Sequence, residues 1–152
     1  ACMNGLRRSG LAPLLREEVL DKRKPVLGIC VGAQMLGHSS EEGTEPGLGW
    51  IDMKVRRLPS LPNLLVPHMG WTDVQRACTD APILDTLDAN ARFYFVHSYF
   101  MDVADPSTVL LWARHGIEFA AAVQSGNIMG VQFHPEKSHR YGKQLLGRFA
   151  SV

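Results

Sequence analysis

The chain has 152 residues, 45% of them hydrophobic and 20% charged, which fits one soluble globular domain with a sizeable core. Lys and Arg number 16 against 15 Asp and Glu, for a formal charge of +1. That balance excludes the dense basic face of a nucleic-acid or anionic-membrane binder, so neither partner is expected.

The elements follow in chain order. Asn4–Leu20 carries apolar residues at Leu6, Leu11, Leu14, Leu15, Val19 and Leu20, and predicts a helix broken near Gly10 and Pro13. Pro25–Ile29 is a short apolar strand, and Ala33–His38 a helix directly after it. Trp50–Leu58 alternates as a half-exposed strand, and Leu58–Pro67 is a loose surface loop. Arg92–Val103 reads as one strand rich in aromatic and β-branched residues, and Val109–Arg114 as another. Phe119–Gln124 and Asn127–Phe133 flank Ser125-Gly126 as a hairpin. Ser138–Ala150 closes as a helix with Tyr141, Leu145, Leu146 and Phe149 on one face. This order predicts an α/β fold around a mixed, largely parallel central sheet flanked by helices.

The first residues lack an apolar signal core, and no apolar run approaches the roughly 18–20 residues needed to span a bilayer. The three cysteines, Cys2, Cys30 and Cys78, are widely spaced without a C-x-x-C pair. That argues against a disulfide framework or a structural zinc site and for a reducing cytoplasm, where a free thiol can react. No metal or cofactor is expected.

Gly28-Ile29-Cys30-Val31-Gly32 has the form G-x-C-x-G between the predicted strand and helix. This is a thiol version of the nucleophile elbow, a strained strand-to-helix turn that exposes its central side chain. Large side chains at either glycine should collide with neighbouring backbone. Amides at the helix start should favour the thiolate, lower its pKa and stabilise an oxyanion. A small buried core cysteine between packing glycines fits the pentapeptide equally well. Cys2 and Cys78 lack such a setting.

A thiolate nucleophile needs a base. Of the six histidines, His134 has the best setting, at the end of an apolar strand with Pro135 fixing the backbone and Glu136 two residues on. Glu136 can orient the imidazole as the third member of a triad.

Together these segments resemble the class I (triad) glutamine amidotransferases. G-I-C-V-G-A-Q at 28–34, S-S-E-E-G at 39–43, P-H-M-G-W at 67–71, Y-F-V-H-S-Y at 94–99 and G-V-Q-F-H-P-E-K-S at 130–138 narrow it to the glutaminase subunits of imidazole glycerol phosphate synthase. The resemblance covers essentially the whole chain and implies a flavodoxin-like amidotransferase domain over residues 1–152. It implies that Cys30 attacks the glutamine side-chain amide, that His134 carries the protons, and that Glu136 orients His134. Val31 N–H would be an oxyanion donor. Gln34, Glu42, Ser98 and Tyr99 would hold substrate, with Glu42 on the α-ammonium group. Met69, Trp71, Tyr94 and Lys137 would face a (β/α)₈-barrel cyclase partner in a heterodimer, to which ammonia is channelled.

Blander readings stand beside these. Trp71 and Tyr94 suit core aromatics, while Gln34, Glu41, Glu42 and Lys137 suit solvated positions. His68 and His97 are expected to hydrogen-bond or pack, His38 has no assigned role, and His115 and His139 read as exposed.

The family pattern starts earlier than Ala1, with a strand–helix–strand unit on the order of 30 residues or more. That unit ends in a P-G-V-G loop carrying the second oxyanion donor, so the chain is expected to be N-terminally truncated, poorly stable and weakly active alone. Three alternatives remain: a subunit feeding another synthase, as in amino-sugar formation; a catalytically impaired docking subunit; and a thiol peptidase or γ-glutamyl hydrolase.

Overall fold

Helix opens the chain. In the computed structural model, which describes residues 1–77 and 80–152, α1 (Cys2–Arg8) ends before Gly10, whose φ of 73° suits a residue without Cβ. α2 (Leu11–Arg16) runs into a π-helical turn at Glu17–Asp21. The break therefore falls at Gly10 alone. Pro13 lies in the first turn of α2, where its missing N–H leaves no bond unmade.

The strand–turn–helix unit is present as β1 (Val26–Ile29) and α3 (Val31–Gln34). The helix is shorter than the sequence predicts. Leu36 N donates to Ala33 O and Gly37 N to Gln34 O, which tightens the last turn and ends it. His38 N then donates to Met53 O, delivering the chain to the sheet as β2 (Ser39–Ser40) beside β3 (Met53–Arg57).

A strand that the sequence does not predict comes next, β4 (His68–Asp73), followed by the short β5 (Gln75–Arg76). Arg92–Val103 is two strands rather than one. β6 (Arg92–His97) pairs with β4 as a two-stranded ribbon, whereas β7 (Tyr99–Val103) belongs to the main sheet. The change of partner is at Ser98, whose carbonyl accepts from Leu58 N in register with the β3–β7 pairing, one residue after the β4–β6 ladder ends at His97.

β8 (Val109–His115), β9 (Ile117–Ser125) and β10 (Ile128–Val131) complete an eight-stranded sheet ordered β1-β10-β9-β7-β3-β2, with β8 on β9 and β5 on β8. The sheet is mixed, as the sequence predicts. Among the described residues, however, only β1–β10 and β2–β3 pair in parallel. Tight turns at Gly116 (φ 71°) and Gly126 (φ 59°) join β8, β9 and β10, and such turns connect only antiparallel neighbours.

Phe93, Phe95, Phe119 and Phe133 centre one hydrophobic cluster, with Phe93 stacked on Phe133 at 3.8 Å. Each such side chain contributes about 1.5–3 kcal/mol by burial. α4 (His139–Phe149) covers this cluster through Tyr141 and Leu145. No helix among the described residues is long and apolar enough to cross a membrane.

Candidate active site

The site lies where β1 and β10 end side by side. These parallel strands place Ile29 opposite Val131, so Cys30 leaves one strand as Gln132 leaves the other. Cys30 N donates to Val131 O at 2.8 Å, and the cysteine adopts φ 51°, ψ −110°. A positive φ at a residue with a side chain costs energy, and the turn holds it as an elbow does.

The two motif glycines differ. A Cβ on Gly28 would lie 2.7 Å from Ala33 N and from Gly32 C and O, all backbone. A Cβ on Gly32 would meet nothing within 4 Å, so the expected collision applies to Gly28 alone. Gly28→Ala is therefore expected to cost about 1–3 kcal/mol in urea unfolding, as over-packing does, whereas Gly32→Ala changes stability by less than about 0.5 kcal/mol. Equal effects of the two would contradict this geometry.

Cys30 Sγ is half-buried, with Val96 O at 3.9 Å as its acceptor and Gln132 Nε2 at 3.8 Å as a donor. Burial pushes the thiol above its ordinary range, opposed by Val31 N–H. The charges of Glu136 and Glu42 push it further up, and Lys137 acts against them. This corrects the expected lowering: the Val31 amide favours the thiolate, but desolvation outweighs it. Cys2 is exposed, and Cys78 lies outside the described residues.

His134 follows β10 by a few residues, and its N–H donates to Tyr94 O on β6 at 2.9 Å. Pro135–Lys137 then form a 3₁₀ turn. The buried Ser138 pins that turn, because its hydroxyl donates to His134 O at 2.6 Å and accepts from Tyr94 N at 3.0 Å. His134 Nδ1 lies 2.7 Å from Glu136 Oε1. A carboxylate only accepts, so Nδ1 carries the hydrogen and Nε2 the lone pair. Nε2 is buried without a hydrogen-bond partner.

A cleft of about 290 Å³ opens over the sulfur, lined by Cys30, Val31, Gln34, Glu42, Pro67, Val96, His97, Ser98 and Tyr99. The expected oxyanion residue and all four expected substrate residues thus share it. Gln34 is only part-solvated, since its Nε2 donates to Tyr99 O at 3.0 Å and to Gln132 Oε1 at 3.1 Å. Glu42 is exposed at the rim.

Alternation along the ribbon separates two faces. Met69 and Trp71 point outward, 62% and 37% exposed, beside the half-buried Tyr94. Trp71 meets Tyr94 edge-on at 6.2 Å and His139 at 5.4 Å, and Lys137 is exposed nearby in sequence. These aromatics form a surface cluster and not core. Asp52 lies 3.2 Å from the exposed His38.

The inner ribbon face carries what sequence reasoning left without a structure. His68 and His97 are buried. Tyr99 O can only accept, so His97 Nδ1–H donates to it at 2.8 Å. His97 Nε2 then accepts from His68 Nδ1–H at 2.9 Å, and His68 Nε2 from the Thr72 hydroxyl at 2.7 Å. His115 is half-buried rather than exposed, because it stacks on His68 at 4.1 Å and faces Leu65 O at 2.7 Å.

Burial is the main cause that holds His68 down to about 3 and His97 to about 4. Unfolded histidine titrates near 6.5, so below that pH the unfolded chain binds protons that the folded one does not. Stability is therefore full above about pH 6.5 and falls as the pH drops toward 4. Urea titrations should report an uptake of about two protons on unfolding near pH 5, and a pH-independent stability between 6.5 and 4.5 would contradict the buried neutral pair.

The model for glutamine amidotransferase class-I matches residues 4–151. The chain belongs to the class I glutamine amidotransferases. Among relatives, imidazole glycerol phosphate synthase subunit HisH 2 of Pseudomonas aeruginosa is 51% identical over 152 residues, covering 100% of this chain and 75% of its own. The HisH subunit of Bdellovibrio bacteriovorus is 45% identical over 153 residues, covering 99% of this chain and 74% of its own. Among solved structures, PurLQS from Thermotoga maritima superposes with a TM-score of 0.67 at 18% identity, over 93% of this chain and 67% of that one. A glutamine amidotransferase of Thermotoga maritima gives 0.60 at 23% identity, over 91% and 52%. Both structures share the fold of this chain, and both relatives are subunits of imidazole glycerol phosphate synthase.

Proposed function

We propose that Cys30, His134 and Glu136 form the triad with which this amidotransferase, the glutaminase subunit of imidazole glycerol phosphate synthase, hydrolyses L-glutamine. His134 Nε2 takes the Cys30 proton and the sulfur attacks the side-chain amide carbon. Charge on the carbonyl oxygen is met by Val31 N–H. His134 returns the proton to the amide nitrogen, the C–N bond breaks, and ammonia leaves a γ-glutamyl thioester. Water then gives a proton to His134, attacks the thioester and releases glutamate, and the sulfur recovers its proton. Glu136 stabilises the imidazolium at Nδ1. Gln34, Glu42, Ser98 and Tyr99 hold glutamine in the cleft.

Met69, Trp71, Tyr94 and Lys137 face the partner, a (β/α)₈-barrel cyclase subunit in a cytoplasmic heterodimer. Ammonia passes to it to make imidazole glycerol phosphate and aminoimidazole carboxamide ribotide in histidine biosynthesis. Residues 1–152 belong to one amidotransferase domain.

The observation that carries this reading is the 2.7 Å contact of His134 Nδ1 with Glu136, which leaves a buried, unpaired Nε2 on the turn that follows Gln132, the donor to the sulfur. The test is product formation by the full-length subunit with its cyclase, supplied with glutamine or ammonium. Glutamine-dependent synthesis supports the reading. Synthesis with ammonium but none with glutamine, or turnover of γ-glutamyl peptides without a partner, would sink it.

A further inference from the structure

Gln132 is completely buried, yet it is a polar residue between Val131 and Phe133 in an apolar strand end. A buried primary amide is costly unless both its ends are bonded. Here the bonds have a fixed direction. Tyr99 O can only accept, so the end of Gln34 facing it at 3.0 Å is its amide nitrogen. The same nitrogen faces Gln132 at 3.1 Å, so Gln132 presents its oxygen there. Its NH₂ is therefore turned toward Cys30 Sγ at 3.8 Å. Flipping Gln132 would set two amide NH₂ groups against each other.

We propose that Gln132 is a positioning donor to the nucleophile: its N–H, locked in direction by Gln34, holds the Cys30 sulfur and stabilises it as thiolate. This rests on the reading of Cys30 as nucleophile. The sulfur sits between opposite partners. Val96 O accepts the S–H of the resting thiol. Once His134 has taken the proton, Val31 N–H and Gln132 N–H remain as donors to the anion. Glu136 and Glu42 disfavour that anion, so a neutral donor on the buried side offsets them without adding a buried charge.

The test measures the pH dependence of Cys30 alkylation by iodoacetamide, read by peptide mass spectrometry, together with kcat and KM for glutamine in the full-length subunit with its synthase partner. Q132M removes the donor to sulfur without adding a charge. It should move the alkylation midpoint up by about one pH unit or more and lower kcat far more than it raises KM. Q34M leaves Gln132 in place but unlocks its direction, and should move the midpoint the same way by less. Midpoints of both variants matching the wild type would overturn the proposal. If Cys30→Ala also stays active, the triad reading itself has failed. An inactive Cys30→Ala beside unmoved midpoints removes only the role given to Gln132.

Discussion

Cys30→Ala lowers glutamine hydrolysis by about 10⁴-fold or more, while ammonium-dependent synthesis by the partner persists. The size follows from the chemistry, since removing one member of a nucleophile–base unit costs about as much as removing the whole unit. The fold should survive. The strained φ of 51° is held by backbone, with Cys30 N on Val131 O and Gln34 N on Cys30 O. Alanine keeps both bonds and removes only a half-buried sulfur, leaving the Gln132 N–H without its acceptor at a cost of about 1–3 kcal/mol. Cys30→Ser should be nearly as inactive, because a hydroxyl does not ionise in this desolvated cleft. Steady-state glutamate release by both variants, with thermal unfolding as the control for folding, measures this. Residual hydrolysis above a hundredth of wild type would contradict the assignment.

The second large effect is expected away from the chemistry. Gly142 lies on α4, and a Cβ there would sit 1.7 Å from Pro135 O and 2.7 Å from Pro135 C. The helix thus rests directly on the turn that carries His134 and Glu136. Gly142→Ala must push α4 off that turn or push the turn toward the ribbon. Over-packing of this kind costs up to about 3 kcal/mol. A misplacement near 1 Å at a reacting group costs about 10² in rate. Both losses are expected together, in denaturant unfolding and in kcat. Gly147, on the same helix, has open space around it, so Gly147→Ala should be neutral or slightly stabilising. A Gly142→Ala enzyme with wild-type stability and rate would show that the turn is not seated on α4.

Much of the layout of the candidate site is legible in the sequence because its residues lie in short local motifs. G-x-C-x-G and H-P-E each fix a turn and the side chain it presents, and the structure puts both at neighbouring strand ends. What was not legible depends on contacts between distant segments. β4 has no β-branched run, since His68–Asp73 contains Gly70 and two charged or polar ends, and it becomes a strand only by pairing with β6. Arg92–Val103 reads as continuous because both halves are β-prone, while the division at Ser98 comes from a change of partner, from β4 to β3. The net effect on the thiol is not legible because a helix-start amide is visible in sequence and burial is not. Gln132 did leave a signal, a polar side chain in the otherwise apolar run Met129–Phe133, but its direction needed Tyr99 and Gln34, which arrive from other elements.

The most direct test of a Cys30 thiolate attacking glutamine is mass spectrometry of the full-length subunit, assembled with its synthase and acid-quenched during glutamine turnover. The account predicts a γ-glutamyl adduct on the peptide containing Cys30, absent from Cys2 and Cys78 and absent in Cys30→Ala. Glutamate formed at the normal rate with no adduct on Cys30, or with the adduct on another residue, would contradict it.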